Sequence, residues 1–146
     1  MNAPLLIHEA QTKGYELIHI VHEFVSPFER LISTLFMGGI GKHGTPGAQI
    51  HPSIPVLSSH IFVKSKGDAF SNPLLKEFLE SKQIKDLYLI GLSGCQCVNA
   101  TANGAIKHSY NTYLLPHAIS SFSPTRAQKL FKKLERLGAK FAEKLP

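Results

Sequence analysis

The sequence predicts a three-layer α/β fold with a mainly parallel sheet, and three observations carry that prediction. Short apolar, β-branched runs alternate with segments of helical periodicity, the pattern of strands covered on both faces by helices. Several helical segments are punctuated at their ends by the residues that start and stop helices, Asn-Pro, Ser-Pro and Gly. At 146 residues, 43% apolar and 18% charged, the chain makes one domain spanning 1–146. A chain of that size buries about 70% of its unfolded surface.

Taken in order, residues 4–12 read as a helix ending near Lys13-Gly14, where Gly suits the position after a helix. Leu17-Ile-His-Ile-Val-His22 is rich in β-branched residues and reads as a buried strand. From Glu23 to Ser59 the chain reads as irregular, punctuated by Gly38-Gly39, Gly41, Gly44 and Thr45-Pro46-Gly47. So long a loop in a compact domain is usually functional or an oligomer contact. His60-Ile-Phe-Val-Lys64 is the second strand. Asn72 caps the next helix and Pro73 fills its first turn, with Leu74, Leu75, Phe78 and Leu79 as the buried stripe.

A third strand, 87–92, leads into a helix from Cys97 to about His108. Asn111-Thr-Tyr-Leu-Leu115 is a further strand, stopped by Pro116. Ser123-Pro124 opens the last helix, whose Leu130, Leu134, Leu137 and Phe141 fall on one face. Ala139–Ala142 reads equally as a short final strand.

The bulk properties narrow the classes of function. Cys95 and Cys97, the two cysteines, are separated by one residue and cannot build a framework of long-range disulfides. A reducing, cytoplasmic setting follows. No signal-like segment opens the sequence, and no apolar run approaches the roughly 20 residues that span a bilayer. The net charge of +6 raises nucleic acid as a partner. The basic residues are not clustered with aromatics except in a C-terminal helix rich in Lys and Arg, which reads first as a solvated face, so no nucleic-acid partner is expected. Gly44–Gly47 lacks the spacing and the following Lys-Ser/Thr of a phosphate-binding loop.

One stretch carries chemistry: Gly91-Leu-Ser-Gly-Cys-Gln-Cys97-Val-Asn-Ala-Thr101 is a strand end, a tight turn and a helix beginning at Cys97. A thiol at a helix N-terminus sits in the positive end of the backbone dipole, which favours the nucleophilic thiolate. Ligands of parallel α/β sheets bind at the carboxyl ends of the strands. Lys64 ends one strand and Cys97 follows another, so both fall on the same sheet edge. Cys95 reads as a packing or turn residue, and Lys66 as an exposed lysine. His19 and His22, three apart on one strand, face opposite ways and make no metal pair. The other histidines read as surface or loop groups.

Phe62-Val-Lys64-Ser-Lys-Gly-Asp-Ala-Phe70, followed by Gly91 to Thr101, resembles the isochorismatase-like cysteine hydrolases, which include nicotinamidases and N-carbamoylsarcosine amidohydrolase. Gly14 before the strand ending in Val21-His22, Gly44-Thr-Pro-Gly-Ala48, Ile50-His-Pro52 and His117-Ala118, where the family usually has Asp-Ala, are supporting matches. The resemblance runs from about residue 5 to the C-terminus and implies an isochorismatase-like, Rossmann-like fold. It implies Cys97 as nucleophile, Lys64 as the cation beside it, and backbone N–H groups of Cys97 and Ser93 as the oxyanion hole. It also implies a cis peptide bond between Leu92 and Ser93, and a place for Phe70 at the substrate pocket. The implied reaction is hydrolysis of a C–N amide or related bond in a small molecule through a thioester. Nicotinamidases carry an Asp-x-His motif after the strand that here ends at His22, and His22-Glu-Phe lacks it, so no metal is expected, and no cofactor.

The sequence departs from the family in one respect. The family's general base is an Asp ending the first strand, and Ile7-His-Glu-Ala-Gln-Thr-Lys-Gly14 aligns best with the helix after that strand. The domain therefore reads as N-terminally truncated relative to the family, with the first strand missing and activity in doubt. An alternative makes Leu5–Gln11 the first strand, with Glu9 in the acid position. A second function class follows, an impaired member serving as a small-molecule binder or oligomeric scaffold. Homo-oligomers are expected, because family members commonly associate and an incomplete sheet adds open edges.

Overall fold

Parallel strands and helices alternate along the chain, as the sequence pattern predicts. The computed structural model describes residues 3–37 and 41–146; Gly38 and Gly39, read above as loop, lie outside them. Helix α1 (Ala3–Thr12) comes first and ends at Gly14, whose φ of +77° is the left-handed conformation that glycine adopts without penalty. Its helical state excludes the reading of Leu5–Gln11 as a strand. Glu9 instead pairs with Lys13 one helical turn on, at 2.8 Å.

Strand β1 (His19–His22) and strand β2 (Ile61–Lys64) pair in parallel, with His22 opposite Lys64. Between them the structure departs from the predicted loop, because Pro27–Met37 forms helix α2. Ser26 and Glu29 close its N-terminus reciprocally: each backbone N–H donates to the other's side chain at 3.2 Å. Its apolar residues Phe28, Leu31 and Leu35 are 71%, 55% and 66% exposed, so no core stripe announces the helix.

Helix α3 (Pro73–Ser81) is capped as predicted, the Leu74 N–H donating to Asn72 Oδ1 at 3.0 Å. Leu75 and Leu79 are buried, whereas Leu74, predicted in the same stripe, faces solvent. Strand β3 (Asp86–Leu92) leads to α4 (Cys97–Lys107), β4 (Asn111–Ser120), α5 (Pro124–Arg136) and β5 (Lys140–Phe141). Strands β3, β4 and β5 form a second parallel sheet in that order.

Two predicted boundaries move for identifiable reasons. Strand β4 continues through Pro116 because the ladder slips there: Leu89 faces Leu114, but Gly91 faces Ile119. Pro116 falls in the slipped segment, where its missing N–H costs no ladder bond. At the other end, Gly138 at φ +108° terminates α5, and the final residues take the strand alternative.

Alternating residues of β3 and β4 assign the layers. Leu115 and Ala118, with Tyr88 and Ile90, pack against Ala3, Leu6 and Ala10 of α1. Leu114 and Leu89 pack instead against Val98 and Ala102 of α4 and Leu134 of α5. Helices therefore cover both faces of this sheet, which is the three-layer arrangement. A third cluster joins the two sheets, bringing Phe62 of β2 and Leu87 of β3 onto Leu75 and Leu79 of α3. Among the described residues β1 pairs with β2 alone and β3 with β4 alone.

Candidate active site

Three side chains converge at the carboxyl ends of the strands. Lys64, the last residue of β2, is 5% exposed, which is rare for a lysine and demands partners for its ammonium group. It has three. Nζ donates to the Lys66 carbonyl oxygen at 2.8 Å, to His22 Nδ1 at 2.8 Å and to Cys97 Sγ at 3.3 Å. The sulfur also lies 3.9 Å from His22 Nδ1.

Local sequence explains why these groups meet. His22 and Lys64 are register partners at the ends of neighbouring parallel strands, so their side chains leave the sheet on the same face. Cys97 is the first residue of α4, reached through the turn after β3. That turn is secured by the Gly94 N–H donating to the Ser120 carbonyl at 2.8 Å, a bond that needs the extended β4. The N–H groups of Gln96 and Val98 fold back onto the Ser93 carbonyl at 3.0 and 3.1 Å, and the Leu92–Ser93 peptide is cis.

The segment after β2 docks on the same helix. The Ala69 N–H donates to Thr101 Oγ1 at 3.0 Å, one turn beyond Cys97. Asp68 accepts from the Phe70 N–H at 2.9 Å and rests its carboxylate where a side chain on Gly104 would lie. The Lys64…Ala69-Phe70 and Cys97…Thr101 patterns thus record one contact, which sets the separation of Lys64 from Cys97.

The site opens into a cavity of about 410 Å³. His22, Ser93 and Cys97 line it, with Ile20, Leu92 and Phe122 as apolar wall. Phe70, expected at the pocket, is not among its lining residues. Its ring stacks on Tyr110 at 5.6 Å and lies 5.0 Å from His108, within the α3 core cluster, because Asp68 turns the backbone toward that core. Cys95 is buried in the turn, its sulfur 3.4 Å from Ser93 Oγ, and the Ser121 and Ser93 hydroxyls hold its pKa below the ordinary thiol value.

His22 is the residue that sequence reasoning missed. The sequence pattern excludes it from a metal pair and gives it no catalytic role, whereas it contacts both Lys64 and Cys97. The strand-end argument that singled out Lys64 applies equally to His22, one strand over in the same register. Burial pushes its pKa below the ordinary 6.5, the Lys64 ammonium pushes it further down, and Glu29 partly opposes them. Its Nε2 is buried and has no hydrogen-bond partner among the described residues. Among the described residues no carboxylate hydrogen-bonds or ion-pairs with Lys64 or Cys97. Nor do the described residues group three or more His, Cys, Asp or Glu side chains that could hold a metal ion. None of their helices is long and apolar enough to cross a membrane.

A buried lysine and a helix-terminal cysteine at one end of a parallel, three-layer α/β domain define a recognisable class. The chain belongs to the isochorismatase family, whose domain model matches residues 1–144. It is 27% identical over 110 residues to the isochorismatase family protein YddQ of Bacillus subtilis, covering 75% of this chain and 56% of that protein. It is 26% identical over 113 residues to streptothricin hydrolase of Streptomyces noursei, covering 77% of this chain and 37% of that enzyme. The chain therefore spans between about a third and about half of these curated relatives.

Solved structures share the fold. Nicotinamidase PncA from Bacillus subtilis superposes with a TM-score of 0.83 at 22% identity, over 97% of this chain and 82% of its own. N-carbamoylsarcosine amidase from Thermoplasma acidophilum gives 0.79 at 19% identity, over 95% and 78%. Pyrazinamidase of Pyrococcus horikoshii, solved in complex with zinc, gives 0.78 at 24%, over 96% and 82%.

Proposed function

We propose that this chain is a cysteine amidohydrolase acting on a small-molecule carboxamide through a thioester on Cys97. The observation that carries the reading is the Lys64 Nζ–Cys97 Sγ contact of 3.3 Å at the N-terminus of α4, on the wall of a cavity. An ammonium group and a helix N-terminus both stabilise a thiolate, and a thiolate attacks carbonyl carbon. The oxyanion that forms requires preorganised donors. The N–H groups of Ser93 and Cys97 donate to no described residue, which leaves both free for that role. A cavity of about 410 Å³ suits a small molecule rather than a polymer. The names of the relatives, streptothricin hydrolase among them, support a hydrolase.

A second reading is a member that binds a small molecule without turnover, favoured because among the described residues no carboxylate partners Lys64. One experiment separates the two. The protein is incubated with nicotinamide, pyrazinamide and N-carbamoylsarcosine, ammonia release is followed, and intact mass is recorded for the wild type and Cys97→Ala. Ammonia release that disappears in Cys97→Ala supports the hydrolase. Saturable binding of one of these compounds with no Cys97-dependent release supports the binder.

A further inference from the structure

We propose that His22 is the general base of this site, its Nδ1 taking the proton from Cys97 and later from water. The assignment rests on the amidohydrolase reading above and adds the group that reading lacks. A thiol, a leaving amine and a hydrolytic water all need a proton acceptor or donor, and no described carboxylate bonds to Lys64 or Cys97. Lys64 is itself a donor to three partners. Among the groups in contact with the sulfur, His22 is the one that can accept.

Geometry and environment both suit the role. His22 Nδ1 accepts from Lys64 Nζ, so the ring proton sits on the buried Nε2, and the one Nδ1 lone pair faces the site and exchanges the Lys64 hydrogen bond for the incoming proton. Phe24 stands edge-on to the imidazole at 4.5 Å and fixes its plane. The charged and titratable groups acting on the ring are Lys64 of β2, Cys97 of α4 and Glu29 of α2. Burial and Lys64 outweigh Glu29, so the imidazole is neutral and receptive at neutral pH. The 3.9 Å to sulfur is closed by a small ring movement or by one water, as catalytic contacts in unliganded sites commonly are.

The proton accounting closes. His22 Nδ1 takes the Cys97 thiol proton, and the sulfur forms a C–S bond while the carbonyl π pair moves to oxygen. The C–N bond then breaks, and its nitrogen takes the proton back from Nδ1. Water next loses a proton to Nδ1 and attacks the thioester, and the C–S bond breaks. The sulfur recovers the proton, so one amide and one water give one acid and one amine.

The test uses p-nitrophenyl acetate, whose nitrophenol leaves without needing an acid. Wild type is expected to give a burst of nitrophenol of one per Cys97, then turnover with an acid limb displaced below the ordinary imidazole value of 6.5. In His22→Gln the Cys97-dependent nitrophenol release slows, steady turnover falls by about 10²–10⁴-fold, the acid limb vanishes, and added imidazole restores part of the rate. A His22→Gln protein that turns over at the wild-type rate with the acid limb intact overturns the assignment, while the Cys97 reading stands. Should His22→Gln fail to fold, wild-type turnover without an acid limb overturns it alone. A wild type with no burst, or one whose burst survives in Cys97→Ala, removes the hydrolase reading and this assignment together.

Discussion

Lys64 Nζ lies 2.8 Å from His22 Nδ1, and the two residues are register partners closing adjacent parallel strands. Strand pairing alone therefore presents a cation and an imidazole side by side, and helix α4 adds the thiol from the second sheet. The site joins two sheets that share no ladder, so its distances depend on how the segment after β2 docks on α4.

The first prediction concerns the cation. Lys64→Met keeps the buried methylene volume and removes the charge that lies 3.3 Å from sulfur. Alkylation runs through the thiolate, and the Lys64 ammonium is the charge nearest the sulfur. Alkylation of Cys97 by iodoacetamide at pH 7 should slow about tenfold or more, read by peptide mass spectrometry. Cys95, buried in the turn, should stay slow in both proteins and serves as the internal reference. An unchanged Cys97 rate would show that Lys64 does not activate the thiol.

The docking contact gives the second prediction. Gly104→Ala places a methyl group where the Asp68 carboxylate sits, and that carboxylate is also the acceptor for the Phe70 N–H. Overpacking of this kind costs about 1–3 kcal/mol, which urea denaturation would register. The Asp68→Ala, Gly104→Ala double variant should lose less than the sum of the two single changes, because it removes the collision. Additive losses would mean that the two residues do not compete for this space.

How much of this was visible in the sequence depends on whether a residue's signal was local. Cys97 and Lys64 were visible because a strand end and a helix start are local patterns, and the cap at Asn72 held for the same reason. Helix α2 was missed although Ser26-Pro-Phe-Glu29 spells its cap, since Phe28, Leu31 and Leu35 face solvent and make no core stripe. Pro116 stops a regular ladder, but the slip opposite Gly91 is a property of the pair of strands and not of β4 alone. His22 gains its meaning only from the parallel register with Lys64, and Phe70 leaves the pocket because Asp68 caps the turn before it.

The third prediction tests that overlooked cap. Ser26→Ala removes the acceptor for the Glu29 N–H, and such substitutions cost about 1 kcal/mol. With little of α2 buried, the cost should appear as local opening. Amide exchange over residues 28–33 should accelerate about fivefold while the global denaturation midpoint hardly moves. Unchanged exchange there would show that the Ser26–Glu29 pair does not hold the helix start.

The last prediction is the pH dependence of stability. Burial lowers the pKa of His19, and burial with Lys64 lowers that of His22, both from 6.5. A group whose folded pKa is depressed binds fewer protons in the native state than in the unfolded state once pH falls below the unfolded value. The native state is therefore favoured in full above about pH 6.5 and loses stability as pH falls through the folded pKa values. Thermal denaturation should give a lower Tm at pH 5 than at pH 7.5. His19→Gln and His22→Gln should each flatten that slope, and the double variant should flatten it most. A Tm that holds or rises on acidification would mean that these two imidazoles are not kept neutral by the fold. That result would also take from His22 the neutral state on which its role as a base depends.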